Sequence, residues 1–438
     1  MNRVLRYLSC FMFLFSISTL AITQSLLTTE EVFSEVVTNN YDLQAARQNI
    51  ALAEVLTSRE NRGYLPTLSL NGGLGYSLNG VKSVFNFNFP DLNIQNIQSY
   101  NGNLGIESSY LVYDGGQRHL VNDKNKVNLK IASLQLESIQ QLLGFNALQI
   151  YYNIAQSTYN LDLLKESLAI SQERYSRTKT YYEYGKNNKV DVLNAKVDVA
   201  RDSVSLNSIE NDIKNLKLQL NQLTLRTDTD YQVDTTINLT YQLSEVSELE
   251  SKLLNTNAEL ITLREQVELV KYDVEIAEKL NAPQIIASGA YNLDYQKNSE
   301  KSQLALNRTN GLNLGLSANW NIFDGGQQKV QKQLAAIDQS TAFIDLKNKE
   351  NELVTQLNSL WNSYRNNLQN MLIEQQNIQT NRQNFELVKS LYENGQQSSI
   401  EFRQAQLNLI NAQSQYYFAK ISAKLSEVEI EYLLGTTN

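Results

Sequence analysis

The sequence predicts a mainly α protein with a smaller β part, built as two copies of one unit. Only three prolines occur in 438 residues, so long stretches lack the residue that ends helices. The motifs LVYDGGQ at Leu111 and NIFDGGQ at Asn321 lie 210 residues apart. Each closes an apolar/polar alternation and opens a proline-free run. These observations predict tandem-duplicated long coiled-coil helical hairpins with four β-strands.

Residues 1–23 are predicted to form a secretory signal peptide. Arg3 and Arg6 precede an apolar stretch over 11–20, and small or polar residues follow it. This stretch is shorter than the roughly 20 residues that a membrane-spanning helix needs. Cys10 lies before the apolar stretch, in a context that does not fit a lipoprotein signal. We therefore expect an exported mature chain with neither a cysteine nor an attached lipid.

Charge and composition exclude several classes of protein. Without the two signal-peptide arginines, 36 basic residues face 46 acidic ones, and a charge of about −10 is the wrong sign for a nucleic-acid surface. His119 is the only histidine, and we expect it on a solvated helix surface. A transition-metal site or a nucleophile–histidine pair needs more ligands or partners than this chain offers. No catalytic constellation, metal site or cofactor site is predicted.

The first structural repeat is predicted over 24–247. It contains helices over about 29–63, 117–183 and 188–226, and the two shorter ones stacked end to end match the long one in length. Gly185 suits the end of one helix, and Asn187 or Asn188 suits the start of the next. The seam positions step by three and four and are mostly apolar with two small polar members, which predicts an antiparallel coiled-coil hairpin. They are Leu161, Leu164, Leu168, Ser171, Tyr175, Thr178 and Tyr182 on one helix and Val190, Leu193, Val197, Ala200 and Val204 on the next.

The second structural repeat is predicted over 248–438, with the same order of helix, strand pair, long helix, tip and helix. LYENGQQ aligns on YYEYGKN and places Gly395 over Gly185. Upstream, NNYDLQ at Asn39 aligns on TNAELI at Thr256, and Pro66 aligns on Pro283 with the same offset. Between the repeats, residues 227–247 lose the helical pattern and are predicted to form an equatorial segment.

Four segments are predicted to be strands, at about 67–79, 102–114, 284–296 and 311–323. Their length suits tilted strands that cross a bilayer, and their polar face is made of Gly, Asn and Ser. A half-buried sheet in a soluble domain is the alternative, but the export signal and the flanking tyrosines favour a membrane. Four strands cannot close a barrel, so several copies must share one. The stretch FNFNFP, with Phe85, Phe87 and Phe89, is predicted to extend a strand, and an outward-facing binding tip is the alternative.

The repeated motif is predicted to join a strand to a long helix. Glycine adopts backbone angles that other residues resist, and aspartate can cap the helix. The joint residues are Asp114, Gly115, Gly116, Asp324, Gly325 and Gly326. A phosphate-binding role is not predicted because no G-x-x-x-x-G-K-[ST] pattern surrounds them.

The order and spacing of these features resemble the outer-membrane efflux channel (TolC) family over essentially the whole mature chain. The resemblance implies a homotrimer whose 12-stranded β-barrel lies in outer-membrane lipid of a Gram-negative bacterium and continues as a helical tunnel through the periplasm. It also implies a passive exit duct that works with a periplasmic adaptor and an inner-membrane transporter, in efflux or type I secretion. The alternative is a periplasmic coiled-coil scaffold without a pore. The sequence does not indicate the cargo.

The resemblance also implies a gate at the periplasmic tips. Matched from the tip glycines, the aspartate and tyrosine of the family's latch fall on Asp191 and Tyr392. Its arginine falls on Gln397, so the charged bond of that latch is missing. Two acidic rings fall on Glu401, which fits, and on Gln404, which does not. For Asp191 and Glu401 the alternative role is stabilisation of a helix N-terminus by negative charge.

Overall fold

A computed structural model describes residues 26–84, 86, 90–239 and 245–436. The predicted signal peptide, the three phenylalanines of FNFNFP and part of the equatorial segment lie outside these residues. The helices are α1 (Thr29–Asn39), α2 (Tyr41–Leu56), α3 (Gln117–Glu183), α4 (Lys189–Thr224), α5 (Val246–Thr256), α6 (Ala258–Lys279), α7 (Gln327–Glu393) and α8 (Ser399–Leu433). The strands are β1 (Leu26–Leu27), β2 (Thr67–Ser83), β3 (Leu92–Tyr113), β4 (Gln232–Val233), β5 (Gln284–Asn298) and β6 (Leu306–Asn319).

The mainly α class is confirmed. Helices α3 and α7 have 67 residues each, which at 1.5 Å per residue is roughly 100 Å. Each packs antiparallel against its partner, α4 or α8, across a tip turn. The N-terminal half of α3, which lies nearer the sheet, packs against α2, and α6 packs between α3 and α7. The short strands β1 and β4 pair in parallel beside the main hydrophobic core.

The predicted single helix over 29–63 is wrong, because the chain breaks at Asn40 and the second helix ends at Leu56. Asn40 caps α2 by accepting from the backbone N–H of Asp42 at 2.8 Å, and its Nδ2 donates to the Leu223 carbonyl at the end of α4 at 3.0 Å. The start of α2 therefore rests on the end of α4. A capping side chain that also satisfies a neighbouring helix end explains why the helical pattern is interrupted.

The second repeat uses the same device at Asn257, the residue that aligns on Asn40. Asn257 accepts from Leu260 N at 3.0 Å, and its Nδ2 donates to the Leu433 carbonyl of α8 at 2.9 Å. Thr256 adds a 2.6 Å hydrogen bond from its hydroxyl to the Leu434 carbonyl. Asn40 and Asn257 are both buried, so each repeat stacks its short helix on the end of its hairpin through one asparagine.

The four long strands form one antiparallel sheet in the order β2-β3-β5-β6. Strands β2 and β3 run further toward their loop than predicted, because residues beyond a bulge at Asn79/Val81 continue to pair. Strand β6 ends four residues earlier than predicted, where the Trp320 indole N–H donates to the Asn281 carbonyl at 2.9 Å. Each edge strand, β2 and β6, pairs on one side only within the described chain.

The apolar heptad predicted inside the first hairpin faces outward on α4. Val190, Leu193, Val197 and Val204 are 61%, 52%, 55% and 68% exposed. The buried positions on this part of α4 are Ala195 and Asp202, and those facing them on α3 are Leu163, Ser167, Ser171, Arg174 and Thr178. The predicted seam is therefore wrong on α4, where the apolar stripe lies on the surface, whereas the predicted seam positions Ser171 and Thr178 of α3 are buried inside the hairpin. No helix among the described residues is long and apolar enough to cross a membrane.

The asparagine junction generates a stability prediction. Replacing Asn257 by alanine removes a helix cap and leaves the Leu433 carbonyl buried without its donor. Together these losses should lower the free energy of unfolding by about 2 to 4 kcal/mol. Asn255→Ala is the control, because that exposed side chain bonds only to the carbonyl one turn back on its own helix. Urea unfolding followed by circular dichroism measures both, and equal losses in the two variants would contradict the junction.

Candidate functional site

Both strand-to-helix joints have the same geometry. Each aspartate accepts two backbone hydrogen bonds, Asp114 from Gly116 at 3.1 Å and Arg118 at 2.9 Å. Asp324 accepts from Gly326 at 3.0 Å and from Gln328 at 2.7 Å. The glycines of the first joint have φ of 73° and 87° and those of the second 72° and 91°, which is left-handed backbone that favours glycine. The aspartate thus satisfies free N–H groups at the helix start.

The first joint has additional hydrogen bonds from one arginine, which the sequence pattern does not predict. The Arg118 guanidinium donates to the carbonyls of Gly63 at 3.1 Å, Leu111 at 2.8 Å and Val112 at 3.1 Å. It therefore ties the end of β3 to the turn before β2. The equivalent position in the second joint is Gln328, a difference that is visible when the two motifs are aligned. His119 is exposed, and its Nδ1 lies 2.8 Å from the Tyr64 hydroxyl.

The register of the sheet sorts its side chains into two faces. One face is formed mainly by leucine, isoleucine, tyrosine, alanine and glycine, because Leu70 pairs with Ile106, Ile106 with Tyr291 and Tyr291 with Leu312. The leucines of this face are exposed to solvent, and the exposed fraction is 96% for Leu74 and 78% for Leu314. The other face carries Asn, Ser, Gly and Thr with two carboxylates, Glu107 and Asp294. A sheet with a bare apolar face is built to contact something apolar.

The two hairpin tips are capped by short polar residues. Gly185 and Gly395 end α3 and α7 with φ of 70° and 74°. The side chain of Asn188 accepts from Asp191 N at 2.9 Å, and Ser398 Oγ accepts from Glu401 N at 3.2 Å. Tyr184 and Leu193 near the first tip are exposed.

The predicted gate residues lie near these tips but are not joined within one chain. Glu401 closes a capping box with Ser398, and hydrogen bonds from the hydroxyl and backbone of Ser398 hold the pKa of the Glu401 carboxyl below its ordinary value. Gln404 donates to Asn408 Oδ1 at 2.9 Å, and Gln397 is half-buried. Among the described residues, no hydrogen bond connects Asp191 with Tyr392.

Tyr392 packs in an aromatic stack. Its ring lies 4.8 Å from the ring of Phe402 with an interplanar angle of 8°, and Phe402 in turn stacks on Phe385. The Arg177 guanidinium of α3 lies 5.4 Å from the Tyr392 ring and donates to the Glu393 carbonyl at 2.8 Å. Arg177 therefore links the first hairpin to the end of the second by a cation–π contact and a hydrogen bond.

A buried ion pair joins the two hairpins above the tips. Arg403 of α8 donates to both carboxylate oxygens of Asp202 on α4, at 2.9 and 2.5 Å. Ser171 of α3 donates to the same carboxylate at 2.6 Å. Arg403 and Asp202 are only 6% and 5% exposed. Burial acts to raise the pKa of Asp202, but the hydrogen bonds from Arg403 and Ser171 outweigh it and hold this pKa below its ordinary value.

A second arginine repeats this arrangement one turn closer to the tip. Arg174 of α3 pairs with Asp198 of α4 and donates to the Ser399 carbonyl at the start of α8 at 3.1 Å. Three arginines, Arg174, Arg177 and Arg403, therefore hold the two hairpins of one chain together. None of the three arginines is predicted from the sequence pattern, because their partners lie in the other structural repeat or across the hairpin.

These contacts fix a stagger between the two tips. Arg403 lies in the second turn of α8, which starts at Ser399, whereas its partner Asp202 lies in the fourth turn of α4, which starts at Lys189. The difference of about nine residues corresponds to about 13 Å along a helix. The first hairpin therefore extends about 13 Å beyond the second, and Asp191 lies lower than Tyr392.

Comparisons with known proteins agree with this architecture. In this chain an open four-stranded sheet with one bare apolar face is joined by glycine turns to helices of roughly 100 Å. The family model for outer membrane efflux proteins matches residues 32–224 and 249–436. The chain belongs to the outer membrane efflux protein family. This is a family of transport channels of the outer membrane and not of enzymes.

Solved channels share the fold at low sequence identity. The outer membrane channel CmeC of Campylobacter jejuni is 18% identical, with a TM-score of 0.74 over 93% of this chain and 85% of that one. VceC of Vibrio cholerae is 16% identical, with a TM-score of 0.72 over 93% and 96%. CusC is 15% identical, with a TM-score of 0.76 over 93% and 92%. A search of the curated proteins finds no match. No group of potential metal ligands occurs among the described residues.

The buried ion pair generates a prediction with an internal control. Arg403→Met leaves the Asp202 carboxylate buried without its partner, which should lower the free energy of unfolding by about 3 to 5 kcal/mol. Arg403→Met/Asp202→Leu removes both charges and should recover most of that loss. Thermal unfolding followed by circular dichroism gives the comparison, with Arg382→Met, an exposed arginine of α7, as the reference. A double variant as unstable as the single one would show that the charge pairing is not the cause.

Proposed function

We propose that three copies of this chain form the outer-membrane channel of a tripartite efflux or type I secretion system. In this proposal the four strands of each copy contribute one third of a 12-stranded barrel, and the hairpins continue it as a tunnel through the periplasm. The channel is a passive exit duct for substrates that an inner-membrane transporter delivers through a periplasmic adaptor.

The open sheet is the observation that carries the proposal. Strands β2 and β6 each leave one row of backbone N–H and C=O groups without a strand partner within the described chain. In hydrocarbon such groups are costly, so spanning sheets close into barrels. Since the smallest single-chain barrels have about eight strands, β6 of one copy must pair with β2 of the next. Three copies give the number that the family uses.

The exposed stripe on α4 supports the same assembly. Val190, Leu193, Val197 and Val204 lie on one side of the first hairpin at heptad spacing and have no cover within the described chain. A neighbouring copy would bury them by the same packing that joins coiled coils. A periplasmic scaffold, the alternative function, also explains this stripe, but it leaves the bare leucine face of the sheet in water.

Membrane fractionation and trimer formation test the proposal together. We expect the protein in the outer-membrane fraction and as a trimer in mild detergent. Leu314→Arg places a cation on the apolar face and should cost about 2 to 4 kcal/mol at mid-bilayer, which reduces the trimer yield. Ser317→Arg, on the opposite face of the same strand, should leave the yield unchanged. A soluble monomer released by osmotic shock, or equal tolerance of both arginines, would favour the scaffold.

We further propose that the tips close the entrance of this channel. Asp191, Tyr392, Gln397, Glu401 and Gln404 are the gate candidates, and in this proposal Asp191 of one copy meets Tyr392 of a neighbouring coil. Within one chain, arginines of α3 and α8 link the two hairpins to each other. In this proposal the entrance therefore opens either by separation of neighbouring chains or by bending of the two linked hairpins as one unit. Because Gln397 supplies no ion pair, the closed state is easier to leave than with arginine there.

Single-channel conductance in a planar bilayer tests the gate. Asp191→Ala/Tyr392→Phe removes the proposed charge-assisted hydrogen bond, worth about 1.5 to 3 kcal/mol, and should raise the conductance. Phenylalanine is chosen because alanine would also remove the stack on Phe402. Gln397→Arg should lower the conductance, and Asp212→Ala, an exposed carboxylate on α4, should leave it unchanged. Unchanged conductance in the first two variants would mean that Asp191 only stabilises its helix.

A further inference from the structure

Two cations interrupt the apolar face of the sheet at its far end from the helices. The register places Lys297, Tyr295 and Arg308 on this face, with Tyr295 opposite Arg308 and Lys297 opposite Leu306. Apart from Lys82, which lies beyond the bulge between β2 and β3, Lys297 and Arg308 are the only charged residues on this face among the paired positions of the four strands. Both are exposed.

These two cations lie close together without a carboxylate between them. They occupy diagonal positions on neighbouring strands, about 7 to 8 Å apart at the backbone, and like charges near each other repel. Neither forms an ion pair with any residue that the structure describes. The nearest acidic residue in the sheet, Asp294, belongs to the opposite face, and Glu300 lies in the turn after β5. An anion bound between the two cations would remove the repulsion.

An apolar trough begins beside Arg308. Gly102 contributes no side chain to the face, and Leu74 Cδ2 lies 3.2 Å from where a Cβ of Gly102 would be. The residues of this face around the gap are Leu74, Leu104, Leu293, Tyr295, Arg308 and Asn310, and Asn103, Asp294 and Thr309 of the other face also line it. The Arg308 guanidinium lies 5.4 Å from the centroid of the Tyr295 ring, which holds it at the edge of the trough. The neighbouring rings of Tyr76 and Tyr100 lie 5.1 Å apart on the same face. The trough can hold a hydrocarbon chain, with a cation pair at its end.

The height of the cations matches the headgroup level of a membrane. Trp320, directly after β6, lies at the helical end of the sheet, where aromatic residues of barrels meet the inner interface. Arg308 precedes it by about 12 residues, or about 40 Å of strand, which at a barrel tilt of about 40° spans about 30 Å of height. The apolar band of such barrels is about 25 Å tall. Lys297 and Arg308 therefore lie just beyond the band, where lipid headgroups are.

We propose that this face binds an acyl lipid of the outer leaflet whose phosphate headgroup has a net negative charge, unlike the zwitterionic headgroup of phosphatidylcholine. The phosphate lies between Lys297 and Arg308, and one acyl chain lies in the trough over Gly102. Arginine and lysine bind phosphate by charge-assisted hydrogen bonds, and the leucine walls bury the chain. The inference rests on the proposed barrel, because it requires the apolar face to contact lipid.

Lipid retention after purification tests the site. The trimer, stripped of lipid in detergent, is incubated with equal amounts of dioleoyl phosphatidic acid and dioleoyl phosphatidylcholine, re-isolated and analysed by mass spectrometry. We expect phosphatidic acid to be retained in preference, and Lys297→Gln/Arg308→Gln to lower its retention about tenfold or more. Lys82→Gln/Lys301→Gln removes the same charge near the same end of the sheet and should retain the lipid. Equal losses in the two double variants would show general rim electrostatics and overturn the site.

Two further experiments distinguish the contribution of the acyl chain of the lipid from that of its phosphate headgroup. Gly102→Leu fills the trough but keeps both cations, and we expect it to lower retention as well. Excess inorganic phosphate should not displace the lipid, and full displacement would overturn a lipid site in favour of a plain anion site. Protein that enters bilayers as a trimer but retains both lipids equally contradicts only this inference. Protein that enters no bilayer contradicts the proposed channel itself.

Discussion

The unpaired edges of the four-stranded sheet are the constraint on which the rest of this structure depends. Strands β2 and β6 each have a strand neighbour on one side only within the described chain. One face of the same sheet is apolar and bare. In a membrane the apolar face is favourable, but the unpaired backbone groups of the edges are costly. In water the edges can be hydrated, but exposure of the apolar face is unfavourable. The proposed assembly of several copies would satisfy both requirements, because neighbouring edges would pair while the apolar face meets lipid.

The two strand-to-helix joints connect the sheet to the long helices α3 and α7. Asp114 and Asp324 cap the long helices directly after the strands, and the left-handed glycines complete the turn. Because the two joints share one geometry, the two long helices start at equivalent places and point the same way. Arg118 clamps only the first joint, so the two repeats are equivalent in shape but not in the contacts that hold them. The two copies of the unit therefore differ in the contacts at this joint.

The hairpins divide polar and apolar contacts in an unexpected way. Inside one chain the lower hairpins are joined by arginines paired with carboxylates and carbonyls, and the apolar stripe of α4 faces outward. Directional pairs fix the stagger of about 13 Å between the tips, because a guanidinium fork matches a carboxylate in only one register. An apolar stripe is less directional and can slide or re-pack against a neighbour. This division agrees with the proposed gate, in which neighbouring chains would separate at the tips while each chain keeps its own internal contacts.

The sequence by itself determined the mainly α class, the duplication, the long helices, the positions of the four strands and the two joints. These follow from local rules: proline and glycine placement, period 2 against period 3.5, and helix caps. Only the tertiary structure decided the break at Asn40, the outward face of the α4 stripe and the partners of Arg118, Arg174, Arg177 and Arg403. Each of these depends on a group distant in the chain, such as the Leu223 carbonyl for Asn40 or Asp202 for Arg403. A heptad pattern shows that a helix has an apolar side, but not which neighbour lies against it, because the same spacing serves a partner in the chain or in another copy.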